Sequence, residues 1–247
     1  MKQFGLYIIL LLFILPYTSD AQRWKRYRYE IIGGIGTTNV FGDMGGGPGV
    51  ARHNTLDFNI EGTGFSLMVG GRYKLKELLA MKVNIIYGYG RASDAYTTNE
   101  ARANRGATSS ISLIEPSVQF EYSLIKERYS RRYTYSNISH FRFNHVNTYV
   151  FVGIGGLLYF PNKKFSRDTD IGADPGVFAA SFPMGIGFKY AINRVYTVGL
   201  ELGHRYTTTD YLDGLSDKFS QANDSYMFLL ISVSKRLRTS RKGMPRF

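Results

Sequence analysis

Four histidines, His53, His140, His145 and His204, are the side chains best suited to acid–base or metal chemistry. None has a carboxylate or second histidine at metal-ligand spacing, so no metal centre is expected. His204 has Asp210 nearby, and small barrels that act on lipid set a Ser and a His beside an acid near the rim. Here His204 falls on the outward parity of its segment and no serine is placed beside it. No catalytic residue is therefore expected. The run Gly42-Asp43-Met44-Gly45-Gly46-Gly47-Pro48-Gly49 is rich in glycine but lacks the Lys-Ser/Thr that ends a phosphate loop. Asn137-Ile138-Ser139 matches the glycosylation triplet, a pattern common by chance. The chain has no cysteine. That excludes disulfides, thiol catalysis, cysteine metal sites and a lipid-carrying cysteine. Neither a cofactor nor a small-molecule substrate is expected, and nothing points to nucleic acid.

The elements that must carry these residues are strands. Between Tyr196 and Thr208 apolar Tyr196, Val198, Leu200, Leu202 and Tyr206 alternate with Thr197, Gly199, Glu201, Gly203, Arg205 and Thr207. Period-two alternation is the mark of a strand with two unlike faces. Similar runs appear near 27–38, 63–74, 79–91, 110–125, 146–160, 178–191, 195–209 and 224–236. One parity carries Ile31, Ile35, Phe65, Val69, Val83, Ile85, Phe120 and Phe188. The other carries Glu30, Arg72, Lys82, Glu115, Gln119, Glu121, Lys189, Glu201 and Arg205. A soluble core does not absorb that many charges of both signs, whereas the lumen of a small barrel can pair them. A soluble sandwich or lipocalin-like barrel is the alternative. These runs are long enough for tilted strands, which need ~9–11 residues to cross a bilayer. Aromatics gather at strand ends, at Trp24, Tyr27, Tyr29, Tyr73, Tyr87, Tyr89, Tyr190, Tyr196 and Tyr226, as in interfacial girdles. The expected fold is all-β: an eight-stranded antiparallel transmembrane barrel. Glu30, Arg72, Glu115, Glu121, Glu201 and Arg205 would fill its lumen, with Glu201 set beside Arg205. An eight-stranded lumen is just wide enough for side chains to fill, which argues against a porin.

The first residues are a targeting segment in pattern. Met1-Lys2, an apolar run from Gly5 to Leu15, then Ser19-Asp20-Ala21 describe a secretory signal cleaved before Gln22. The expected division is a signal peptide at 1–21 and a barrel domain at 22–247, with a basic tail at about 237–247. No later segment approaches 18 consecutive apolar residues, so no transmembrane helix is expected. With an even strand number both termini fall on one side, expected to be periplasmic. The connections then sort into short periplasmic turns at 74–78 and 191–195 and longer external loops at 39–62, 93–108, 161–177 and 210–223. Charge sorts the same way. The periplasmic segments sum to +16 and the external loops to −4, a field that favours acidic partners or anionic headgroups on one side.

The periplasmic connection at 126–146 is long and still alternates, which reads as a hairpin prolonging two strands. Its Arg128, Arg131, Arg132, Tyr133, Tyr135, Phe141 and Phe143 are the first candidates for docking a partner, since exposed aromatics beside Arg make interface hot spots. Lys235, Arg236, Arg238, Arg241 and Lys242 near the end are the second.

The segments QRWKRYRYE and GGIGTTNVFGDMGG (Gly33–Gly46), VNTYVFVGIGGLLYFPNKKF (Val146–Phe165), FPMGIGFKYAINRVYTVGLELGHRYTTTDYLDGLSD (Phe182–Asp217) and SYMFLLISVSKRL (Ser225–Leu237) resemble PorG-like barrels of Bacteroidetes. The likeness touches most of the mature chain, and Asp210–Asp213 is its most specific part. The resemblance implies an outer-membrane component of the type IX secretion system. It further implies association, on the periplasmic side, with a ring built from a lipoprotein and a periplasmic protein. It carries over no catalytic residue. The expected function is thus an outer-membrane barrel anchoring or docking periplasmic secretion-ring proteins. The alternatives are a general surface barrel or narrow channel, or an outer-membrane enzyme acting on lipid.

Overall fold

The fold was obtained as a computed structural model, which describes residues 23–41, 62–93, 108–125, 146–164, 177–209, 212, 223–240 and 244–246. The expected signal peptide at 1–21 and the expected hairpin in 126–146 fall outside the described residues apart from Val146, as do most of the four long loops.

A short 3-10 turn, Arg23–Arg26, precedes eight long strands: β1 Tyr29–Phe41, β2 Gly64–Lys74, β3 Leu79–Ser93, β4 Thr108–Ser123, β5 Val146–Lys164, β6 Phe178–Ala191, β7 Tyr196–Thr207 and β8 Ser225–Thr239. A two-residue strand, β9 Pro245–Arg246, folds back on Arg238 and Thr239 at the end of β8. Each long strand pairs antiparallel with the next, and β1 also pairs with β8 from Tyr29↔Leu237 to Phe41↔Ser225. The sheet therefore closes on itself into an eight-stranded barrel and leaves no long edge unpaired. β1 starts and β8 ends at the same rim, called the terminal rim below. The turns at 75–78 and 192–195 lie at that rim too. In the second, the Asn193 side-chain oxygen accepts from the amides of Val195 and Tyr196, both at 2.7 Å, which sets the tight reversal.

Alternation decides which way each side chain points. On β7, Glu201 and Arg205 are buried while Tyr196, Leu200, Leu202 and Tyr206 are exposed. The same holds around the wall. Ile154 is 66% exposed, Ile35 64%, Val69 61% and Val152 58%, and all of them stand on the outer face. A belt of exposed Ile, Val, Leu and Phe of that extent suits lipid, not water. No helix among the described residues is long and apolar enough to cross a membrane, which says nothing of strands.

Gaps between large side chains inside are closed by glycine. A Cβ at Gly187 would meet the Tyr149 ring, and one at Gly203 would meet Phe151 and Arg205. The aromatic rings of β5 thus come close to bare backbone on β6 and β7, and that close approach requires glycine.

Candidate functional site: a filled lumen and a basic terminal rim

Inward positions of β1 to β4, β6, β7 and β8 near the terminal rim supply most of the buried charge. Glu30 accepts from Arg72 at 2.6 Å, with Lys74 at 3.5 Å and Arg236 at 3.6 Å. Glu121 takes the other side of Arg72 at 2.7 Å, together with Lys189 at 2.9 Å and Lys82 at 3.8 Å. Glu201 accepts from Lys82 at 2.5 Å and from the Tyr149 hydroxyl at 2.8 Å. Every member of this network is nearly or fully buried. Aromatic faces support it: Lys189 Nζ lies 4.0 Å from the Tyr149 ring centre and Lys82 Nζ 5.1 Å from that of Phe151. Such contacts favour a cation shielded from water.

A second, smaller network lies farther up. Glu115 accepts from the Tyr226 hydroxyl at 2.6 Å and faces Arg205 Nε at 3.4 Å. Arg205 donates to the Gly203 carbonyl at 2.5 Å and stacks over Phe228 at 4.6 Å. Ser117 donates to Asn84 and accepts from Gln119.

Beyond this the lumen turns apolar. Ile86, Ile111, Leu113, Leu157, Phe228 and Leu230 pack inside the wall, and Leu212 from the β7–β8 connection is fully buried against them. Its amide donates to the buried Asp224 carboxylate at 2.8 Å, which holds Leu212 in place. Side chains thus occupy both halves of the barrel. The arrangement holds charge in place.

Several sequence expectations change here. Glu201 does not pair with Arg205; its partners are Lys82 and Tyr149, while Arg205 faces Glu115. Two residues on one strand four apart share a face, but in a closed barrel the nearest opposite charge comes from across the lumen. Tyr226 belongs to no girdle, being buried with its hydroxyl on Glu115. Arg236 is not available for docking: it points inward, buried, towards Glu30 and donates to the Asn193 carbonyl. Lys235, its neighbour, points outward on the wall and is exposed. Arg238 is exposed just past it. Arg128, Arg131, Arg132, Tyr133, Tyr135, Phe141, Phe143, Arg241 and Lys242 lie outside the described residues. The pairing of β4 with β5 does run on to Leu124 and Ile125, whose amides donate to the Thr148 carbonyl. His204 lies on the outer side, 4.6 Å from the Tyr206 ring and 6.0 Å from that of Phe41.

The apolar plug was missed by sequence reasoning, although a signal exists. In Ile85-Ile86 and Leu229-Leu230 both faces of the strand are apolar, so the inward member of each pair has no polar role.

Among solved structures, the chain is similar to the Neisserial surface protein A, with 11% identity and a TM-score of 0.43 over 84% of this chain and 96% of that one. It is similar also to Ail, the attachment invasion locus protein of Yersinia pestis, with 13% identity and a TM-score of 0.39 over 85% and 99%. The outer membrane enzyme PagL is similar at 12% identity and a TM-score of 0.32 over 83% and 97%. No curated protein matches the chain. Residues 6–232 match the family model described as Domain of unknown function (DUF6089), and the chain belongs to that family.

Proposed function

We propose that the chain is a non-catalytic barrel of the bacterial outer membrane that anchors or docks periplasmic components of a protein secretion machine of the type IX kind. The observation that carries this reading is the filled lumen. Among the described residues, ionic networks occupy one half of the lumen and an apolar plug the other, which supports a barrel whose work falls to its surfaces. The exposed apolar belt supports the placement in lipid. The basic character of the terminal rim and its connections supports docking from the periplasm, and the resemblance to PorG-like barrels supports the secretion machine.

Docking then rests on the connection at 126–145, through Arg128, Arg131, Arg132, Tyr133, Tyr135, Phe141 and Phe143, and on Arg238, Arg241 and Lys242. The test is affinity capture of the tagged chain from detergent-solubilised outer membranes, followed by mass spectrometry. Periplasmic ring proteins should be recovered with the intact chain and lost when 128–143 is deleted, while the shortened barrel still resists heat on gels. Equal recovery with both forms would remove the hairpin from the docking surface, and no ring protein with either would remove the secretion reading.

A further inference from the structure

Where the outward apolar belt ends at the terminal rim, the wall becomes basic and aromatic. Lys25, Lys76, Arg194, Lys235 and Arg238 are exposed there and Arg28 is half-buried, while Glu77 is the exposed carboxylate of that rim among the described residues. Lys25, Arg28 and Lys235 belong to the face built by β8, β1 and β2 and the short turn before β1. The Arg28 guanidinium stacks on Trp24 at 4.9 Å and donates to the Tyr73 hydroxyl at 3.2 Å. Lys25 Nζ lies 5.9 Å from the same Trp24 ring, and the Tyr29 and Tyr73 rings lie 4.9 Å apart. Lys235 projects from the neighbouring strand, opposite Ile31 on β1 and Tyr196 on β7.

The backbone holds Arg28 in place. Its amide donates to the Thr239 hydroxyl and its carbonyl accepts from the Lys74 amide, so the side chain starts from a fixed point between β8 and β2. Among the described residues no carboxylate pairs with Lys25, Arg28 or Lys235.

We propose that this face binds the phosphate of an anionic phospholipid in the leaflet at the terminal rim. Arg28, Lys25 and Lys235 hold the headgroup, with Trp24, Tyr29 and Tyr73 at the boundary between headgroup and acyl chain. Position selects lipid over an acidic protein. Lys235, Tyr29 and Tyr73 share the outward parity of exposed Ile31, Val69 and Val233, and Arg28 reaches that side by donating to the Tyr73 hydroxyl, whereas a periplasmic protein would meet the end of the barrel. Trp and Tyr concentrate at that depth because one side of the ring is apolar and the other polar. The proposal rests on the membrane-spanning reading but not on secretion, so capture of a ring protein neither supports nor removes it.

Trp24 is the chain's one tryptophan, and its fluorescence therefore reports on this face directly. Dihexanoyl phosphatidylglycerol, dihexanoyl phosphatidylcholine and poly-glutamate would each be titrated into the folded, detergent-solubilised chain. The proposal expects a saturable Trp24 response to the phosphatidylglycerol alone. Its midpoint should weaken about fivefold in Arg28→Gln and again about fivefold when Lys235→Gln is added, with Arg28→Lys restoring part of it. Equal responses to the two lipids, unchanged midpoints in the variants, or a saturable response to poly-glutamate would each overturn it. Heat resistance on gels checks folding. Should Arg28→Gln fail that check, Lys25→Gln and Lys235→Gln, both at exposed positions, decide the matter by the same criterion.

Discussion

Lys82 and Glu201 meet across the lumen at 2.5 Å with no water-exposed surface on the lysine. Buried ions of this kind are held by mutual attraction that has to offset the loss of hydration, so a single removal leaves an uncompensated charge. Glu201→Gln should lower unfolding stability by about 3–5 kcal/mol, read as a drop in the urea midpoint of the folded band on gels. Lys82→Met combined with Glu201→Gln should recover part of that loss. A single variant as stable as the parent would mean that the pair is not formed. At this scale the sequence told which residues face inward: Glu30, Arg72, Lys82, Glu115, Glu121, Lys189, Glu201 and Arg205 are all buried, because parity along a strand is a local property. Partnership was not legible. Glu201 and Arg205 share a strand, yet their partners sit on other strands, and cross-lumen distance depends on strand tilt and closure, which no single segment encodes. Arg236 shows the same limit. In a run of basic residues at the end of the chain, only the parity of β8 separates an inward arginine from an exposed lysine beside it.

Strands are the elements on which the barrel depends, and β5 with β6 shows how pairing and packing constrain each other. Tyr149 and Phe151 occupy the lumen because Gly187, Gly185 and Gly203 leave room for their rings. Gly187→Leu should therefore cost about 1–3 kcal/mol through overpacking, or stop closure outright, and the fraction reaching the heat-resistant form after refolding would show it. If Gly187→Leu refolds and resists heat like the parent, the close approach is not needed. Leu212 belongs to the same scale, since one side chain from the β7–β8 connection completes the plug. Leu212→Ala should destabilise by about 2–5 kcal/mol as a cavity opens. Strand positions were readable because alternation is regular: the expected run 195–209 became Tyr196–Thr207 and 178–191 became Phe178–Ala191. The part of Leu212 in the plug was not readable. A connection's return into a lumen follows from the closed shape and leaves no periodic trace in the residues that make it.

At the scale of the whole molecule, three surfaces divide the work: an apolar belt, a basic aromatic collar at one rim, and an interior packed with side chains. The belt's role has a direct test. Val152 is 58% exposed in the middle of the outward run Val150, Val152 and Ile154, and Val152→Arg should cost about 2–4 kcal/mol in lipid, with little effect if that face met water instead. The interior matters most, because a barrel without a passage acts only through its outside. Planar-bilayer recording of the purified, folded chain tests it most directly. Silence is expected at all applied potentials, with no stepwise insertion of conductance. Steady ohmic steps from the folded chain would contradict it, and would make the ionic lumen the lining of a channel.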